Sequence, residues 1–404
     1  GTGNNYSHQI QIQEFRRPEF EVSTRAESEG PYVVGEPATV AVQADYFSGG
    51  PLPNAAVEWT VTTRQATYSP PNWDDFAFGV WIPWWFNDNY FGRGGFETDV
   101  YYESDVFFGD YWPDIDPATV ETFSGTTDGN GTHYLQMDFD GDGDGLPTTV
   151  TSEAVVFDVN RQAWSDGTDL LVHPAELYVG LRGQRTFIKN GEPLVVDAIV
   201  SDIDGSAIPG RSIAMEAGRM EWRVIDDRWQ EVPVEIQACT VTSADQPVQC
   251  TFTTDIGGTY QIAATVTDDA GRASRTEITR WVSGGNVRPE RNVVQQEVTL
   301  IPDQQEYAPG DEAEILVEAP FSPAQGLLTI SRNGFVSTRT FIIEDGSTVL
   351  AIPIRDEYIP NVHIQVDLVG AATRTTDNGD PLPDAPDRPA FAVGGLNLQV
   401  PPHS

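Results

Sequence analysis

The sequence is poor in basic residues and in long apolar runs. Lys and Arg number 23 against 61 Asp and Glu, which gives a formal net charge of −38. Nucleic acids and anionic lipid surfaces are bound through clustered positive charge, so composition argues against both partners. No apolar run reaches the roughly 18 residues of a membrane-spanning helix. Contact with a membrane is therefore expected only through an anchor that lies outside this sequence.

No stretch of this sequence has the pattern expected of a secretory leader. The chain opens with GTGNNYSHQIQIQEF, directly ahead of a strand pattern, so we interpret it as a piece of a longer protein. Residues 6–15 alternate like a strand. We expect residues 1–17 to be a linker or a strand that completes a preceding domain.

Residues that mark catalytic or transition-metal sites are scarce. The five histidines are scattered, and the chain has no Cys-x-x-Cys, Gly-x-Ser-x-Gly, P-loop or dinucleotide motif. Carboxylates are so numerous that no pair stands out as an acid and its base. We predict that the chain is not an enzyme and holds no organic cofactor.

What the sequence does contain is a repeated turn-and-strand pattern. Residues 33–59 align without gaps to residues 189–215, and residues 307–330 form a weaker third copy. Each copy opens with a tight turn, Gly-Glu-Pro or Gly-Asp-Glu, and continues as a strand that buries alternate residues. The alternating apolar positions are Val40, Val42 and Ala44; Val196, Ala198 and Val200; and Ile315, Val317 and Ala319.

A second signature recurs in two of the copies, where residues 127–137 match residues 254–264 as a Gly-rich turn leading into a strand. Many turn signals between short alternating strands predict an all-β fold, a tandem array of three antiparallel β-sandwiches. The predicted domains are 18–174, 175–285 and 286–404.

An aromatic insertion interrupts the first predicted domain at residues 66–118. Its large side chains can carry the energy of an interface. Two interpretations stay open: the rings pack on the insertion or on the next domain, or they form a surface that binds a ligand or partner. The candidate binding residues are Trp73, Trp81, Trp84 and Trp85.

The two cysteines, Cys239 and Cys250, flank a turn-like Ser-Ala-Asp-Gln-Pro segment. Both could lie on facing strands of one hairpin, and we predict a disulfide, which implies an oxidising compartment. Two buried free thiols are the alternative.

An acidic run, DFDGDGDG at 138–145, resembles the start of a calcium-binding loop, with oxygens at alternate positions. The candidate ligands of a Ca²⁺ ion are Asp138, Asp140, Asp142 and Asp144. The expected glutamate at the twelfth position is replaced by Thr149, and a solvated acidic turn is the alternative.

Several longer motifs, taken in order, resemble the bacterial branch of the alpha-2-macroglobulin family. They are QEFRRPEFEV followed by YFSGGPLPNAAVEW, then YSPPNWDDFAFGVWIPWW, VHPAELYVGLRGQRTFIKNGEPL, DDAGR ahead of RWVSGG, and YAPGDEAEILVEAPF. The resemblance implies seven-stranded, fibronectin-like macroglobulin domains that build a cage. Full-length members of the family inhibit endoproteases, because cleavage of a bait segment rearranges the cage and traps the protease. Bacterial members are usually periplasmic.

The resemblance implies a structural scaffold segment of such an endopeptidase inhibitor, in the periplasm or at the cell surface. Its expected partners are the other domains of the parent chain and, through the full-length protein, target endoproteases. Neither cysteine is followed by the x-Glu-Gln of the family's thioester. Residues 370–392, with Arg374 and Arg388, could form a bait-like loop, and an ordinary surface loop is the alternative. The competing function is an extracellular adhesin or glycan-binding array.

Overall fold

A computed structural model describes residues 19–85, 118–140, 144–225, 228–284, 296–374, 382 and 384–402. The predicted N-terminal linker (1–17), insertion residues 86–117 and Asp142 lie outside these ranges. The described part is built of strands, with one 3-10 turn at Asp356–Tyr358, and none of its helices is long and apolar enough to cross a membrane. The all-β prediction is confirmed.

The first sandwich packs a three-stranded sheet on a five-stranded sheet around Trp59, which is fully buried. In sheet order the smaller sheet is β1 (Phe20–Ala26), β3 (Pro37–Tyr46) and β6 (Thr132–Asp138). The larger is β2 (Tyr32–Val33), β8 (Ala163–His173), β7 (Thr148–Phe157), β4 (Ala56–Gln65) and β5 (Thr119–Thr126).

The second sandwich also packs a three-stranded sheet on a five-stranded sheet, around a separate core. The smaller sheet is β14 (Val248–Phe252), β11 (Leu194–Asp202) and β9 (Leu177–Gly183). The larger is β10 (Phe187–Ile188), β16 (Ala273–Val282), β15 (Gly258–Thr267), β12 (Ser212–Ile225) and β13 (Arg228–Thr242).

The third sandwich repeats this arrangement. The smaller sheet is β18 (Thr299–Pro302), β19 (Glu312–Glu318) and β22 (Ser347–Pro353). The larger is β17 (Gln296–Glu297), β24 (Arg388–Gln399), β23 (Asn361–Ala372), β20 (Ala324–Ser331) and β21 (Phe335–Ile343).

The repeated turn enters the same strand in all three sandwiches. Gly35, Gly191 and Gly310 precede β3, β11 and β19, with φ of 82°, 82° and 100°. These are left-handed conformations that glycine adopts without strain. The alternating residues predicted for these strands are all at most 4% exposed, so the predicted burial of one strand face is confirmed.

The second sequence signature does not mark equivalent strands. Residues 127–137 lead into β6, which belongs to a three-stranded sheet, whereas residues 254–264 lead into β15, which belongs to a five-stranded sheet. Both stretches are turns that lead into alternating strands, as predicted, but the two strands are not equivalent. A Gly-rich turn before an alternating strand is a local pattern that does not specify which sheet the strand joins.

The chain divides into two compact units. One contains the first sandwich. The other contains the second and third sandwiches together with Thr67–Trp85 from the predicted insertion and residues 144–146. The described part of the insertion therefore belongs with the second sandwich, although its sequence interrupts the first.

Candidate functional site

The aromatic segment Thr67–Trp85 leaves the end of β4 and lies on the second sandwich. Its start is held by side-chain hydrogen bonds to the turn after β11. The Tyr68 hydroxyl donates to the Ile203 carbonyl at 2.7 Å, and the Trp73 indole nitrogen donates to the Gly205 carbonyl at 3.0 Å. Both rings keep a polar partner while their apolar parts contact protein, which suits an amphipathic aromatic residue.

The middle of the segment covers the outer face of β9 and β11. Phe76 and Phe78 form a cluster with Tyr178 and Ile199, separate from the core between the sheets. Phe78 lies over Gly180, where an added Cβ would be 2.6 Å from the ring. Glycine at this strand position is therefore what lets the ring approach the backbone.

Backbone hydrogen bonds join the segment to both sheets. Ala77 and Leu181 of β9 exchange a pair of N–H···O bonds at 2.8 and 2.9 Å. Glu277 of β16 donates its N–H to the Gly79 carbonyl at 2.8 Å, and its own carbonyl accepts the N–H of Trp81 at 2.9 Å. The segment thus pairs with β9 at the edge of one sheet and with the part of β16 that β10 leaves uncovered in the other, where backbone groups would otherwise lack a partner.

The segment ends in a tryptophan cluster around Trp281. Trp81, Trp84 and Trp85 contact one another edge to face, with interplanar angles of 77°, 68° and 86°. Trp85 is 3% exposed and Trp281 is 1% exposed. The rings are therefore not coplanar, and Trp81 and Trp84 are half-buried. A flat glycan-binding platform would require coplanar rings that are open to solvent.

A buried arginine lies beneath this cluster. The Arg280 guanidinium is 5.0 Å from the centre of the Trp81 ring, and its Nη1 donates to the Thr279 carbonyl at 2.7 Å. Its Nε has no hydrogen-bond partner among the described residues. Burial lowers the pKa of Arg280 to about 10. The contact with the indole face and the hydrogen bond to the Thr279 carbonyl both compensate this desolvated cation.

The same cluster continues into the third sandwich. Trp85, Trp281 and Phe187 share one buried cluster with the third core. Beside it, Arg185 pairs with Glu314, and the Thr186 hydroxyl donates to the Asp303 carbonyl at 3.2 Å. Apolar burial with a charged rim makes the junction between these two sandwiches resemble a stable interface.

Cys239 and Cys250 form a disulfide with a Cα–Cα distance of 6.2 Å. They are not on facing strands of a hairpin, as the sequence suggested. β13, which carries Cys239, pairs with β12, whereas β14, which carries Cys250, pairs with β11 in the other sheet. The disulfide therefore ties the two sheets of the second sandwich together.

The acidic run is described only in part. Asp138 ends β6, Asp140 follows it and Asp144 lies beyond the undescribed residues 141–143. Among the described residues no group of three acidic, histidine or cysteine side chains is placed to hold a metal. The predicted Ca²⁺ site, which includes Asp142, stays a prediction.

The predicted bait-like loop connects β23 to β24. Residues 370–372 and 388–392 are strand, so Arg388 begins β24, and only Arg374 lies in the connection itself. Arg374 is exposed, and its Nε donates to the Pro386 carbonyl at 2.8 Å. Residues 375–381 and 383 lie outside the described residues.

Two buried charged side chains were missed by sequence reasoning. Arg280 occupies an inward position of the alternating strand β16, two residues after buried Ile278, so strand periodicity could have indicated its burial. Glu318 at the end of β19 is 6% exposed, and burial raises its pKa to about 7. An acidic residue that ends an apolar strand gives no such signal, because strand ends are usually solvated.

Comparison with known proteins finds one family-model match and two curated relatives. Residues 298–402, the third sandwich, match the family model described as the alpha-2-macroglobulin bait region domain. An alpha-2-macroglobulin homolog of Nostoc sp. is 22% identical over 383 residues, covering 91% of this chain and 18% of that protein. Circularly permutated Ras protein 2 of Dictyostelium discoideum is 21% identical, covering 90% of this chain and 10% of that protein.

Among solved structures, the native conformation of alpha-2-macroglobulin from E. coli aligns with 94% of this chain and 23% of its own, at 16% identity and a TM-score of 0.41. The chain thus spans less than a fifth of the length of the curated relatives it matches. The third sandwich thus matches a domain of the alpha-2-macroglobulin family, and the Nostoc relative, which aligns along nearly the whole chain, supports a macroglobulin-domain segment of that family.

Proposed function

We propose that this chain is a structural scaffold segment of a protease-trapping endopeptidase inhibitor. The observation that carries the proposal is the match of the third sandwich to a bait region domain. That sandwich shares a buried cluster with its neighbour through Trp281 and Phe187. A movement that starts in the third sandwich would therefore reach the second through packed side chains.

The role is mechanical and not catalytic. A trap needs modules that keep their shape while the joints between them move, and each sandwich here has its own buried core. The disulfide between the sheets of the second sandwich adds a covalent link. We place the parent protein in the periplasm or at the cell surface, because disulfides persist in oxidising compartments.

Its partners in this proposal are the other domains of the parent chain and, through them, endoproteases. The adhesin alternative is less well supported, because it depends on an open aromatic platform. The four candidate tryptophans, Trp73, Trp81, Trp84 and Trp85, instead contact one another, Phe76 or Trp281 at steep angles.

The test is a trapping assay on the full-length parent protein. A panel of endoproteases is mixed with the protein, and hydrolysis of a small peptide and of a large protein substrate is followed. We expect activity on the large substrate to fall while activity on the peptide survives, because a caged protease still admits small molecules. A protease blocked at its active site beforehand is the control: it cannot cut the parent protein, so it should separate from the parent on size-exclusion chromatography, whereas the active protease should stay with it. If the protease keeps its full activity on both substrates and the parent protein stays intact, the proposal is contradicted.

A further inference from the structure

In the second sandwich, the aromatic segment lies along the gap between an edge of each of the two sheets. β9 is the last strand of its three-stranded sheet, and β16 has β10 beside it only at residues 281–282. Between these two edges runs a groove lined by backbone N–H and C=O groups. Such edges accept an extended peptide by adding it to the sheet.

The fully buried residues of the core beneath this groove all belong to the second sandwich, although Ala77 and Trp81 of the segment pack against that core as partly buried side chains. The core between the two sheets is one cluster, and the contacts of Phe76 and Phe78 with Tyr178 and Ile199 are another on the outer face. Gly180 forms a depression in this face that receives the Phe78 ring. A surface with a separate core beneath it can persist when its cover leaves.

The far end of the groove supplies a chemical reason for aromatic occupants. Arg280 is buried, and its Nε has no partner among the described residues. The Trp81 ring face covers its guanidinium at 5.0 Å. A large ring at this position excludes water and stabilises the cation through its π face, which an aliphatic side chain cannot do.

We propose that the second sandwich carries a separable docking groove for an extended aromatic peptide, and that residues 67–85 of this chain occupy it in cis. The occupant is tethered to the end of β4, so its effective concentration is high and the groove is filled in the intact chain. When docked, its tryptophans complete the junction between the second and third sandwiches. The packing of the second sandwich against the third therefore depends on whether this peptide occupies the groove.

The test uses the full chain and a fluorescent peptide of residues 67–85. In the variant Phe78→Asp with Trp81→Lys, the tethered segment should leave and the groove should stay open, because the lysine repels the Arg280 guanidinium that Trp81 covers. We expect saturable binding of the labelled peptide to this variant, at least about tenfold tighter than to the unmodified chain, whose groove is filled.

A bulkier side chain in the groove floor distinguishes specific docking from non-specific binding. Adding Gly180→Val to the open variant places a branched side chain where the Phe78 ring lies, and should weaken peptide binding by more than about tenfold. Adding Gly129→Val is the matched control, because a Cβ there meets nothing within 4 Å. Equal peptide binding to the open variants with Gly180→Val and with Gly129→Val would overturn the proposal. So would the absence of peptide binding to an open variant that folds.

Hydrogen exchange on the unmodified chain covers the case in which the open variant does not fold. We expect the amides of Ala77 and Trp81 to exchange at least about tenfold faster than that of Ile262 in the β15–β16 ladder, because the segment opens locally. Equal protection would make the segment an integral part of the sandwich and would overturn the idea of a separable groove.

Discussion

Replacing Glu318 with glutamine should stabilise the protein more at alkaline than at acidic pH. Glu318 ends β19, is 6% exposed, and no basic side chain within the described residues forms an ion pair with it. Burial raises its pKa from 4.5 to about 7. The folded state therefore holds the proton more tightly than the unfolded state, and the free energy of unfolding falls as pH rises from about 4.5 through 7.

The size of the effect follows from the two pKa values. Linkage gives a cost of charging Glu318 of about 1 kcal/mol at pH 5 and about 3 kcal/mol at pH 8. Glutamine has nearly the same shape and does not ionise, so this cost is absent in the variant. If the second and third sandwiches unfold together, the gain in Tm should be about 2–4 °C at pH 5 and about 6–12 °C at pH 8.

Calorimetry of both proteins across pH 5–8 measures this difference. Glu312→Gln is the matched control, because Glu312 begins the same strand but is exposed. A Tm difference between Glu318→Gln and the unmodified chain that stays constant with pH would refute the reasoning. So would an equal pH-dependent gain in the Glu312 variant.

Three further changes test other features. Replacing Cys239 and Cys250 with alanine should cost about 3 kcal/mol, as expected for a sequence separation of 11 residues, and a Tm insensitive to a reducing agent would contradict this. Trp281→Ala should cost about 3–5 kcal/mol, whereas Trp164→Ala, at an exposed ring, should change Tm little. Trypsin should cut after exposed Arg374 and give the corresponding fragments in mass spectrometry. These fragments should be absent in Arg374→Ala, and their persistence there would exclude this cleavage site.

The sequence predicted the features that repeat along the chain. Turns at Gly35, Gly191 and Gly310 need a left-handed backbone, and the strands after them need one buried face, so both leave a periodic trace. Three β-sandwiches follow from these traces together with the resemblance to a known family.

Features that depend on contacts distant in sequence were not predictable in this way. The turn between Cys239 and Cys250 looks like a hairpin turn, yet the chain there crosses from one sheet to the other. Docking of the aromatic segment is set by the space above Gly180 and by the cation of Arg280, both about 100 residues or more along the chain from their partners Phe78 and Trp81. The apolar content of the insertion indicated that it would be buried but not against which surface.

The short parallel pairing within each sandwich has a mechanical consequence. The Thr24 N–H donates to the Asp166 carboxylate, and the Val34 N–H donates to the carbonyl of His173, which ends β8. Both partners move forward along the chain together, so the start of the module and its last strand run in the same direction. The second and third sandwiches show the same order. Each module is thus entered at one pole and left at the opposite pole. Tension on the two ends of a module would shear these contacts together instead of peeling them apart singly, so its resistance to pulling is governed by its unfolding rate.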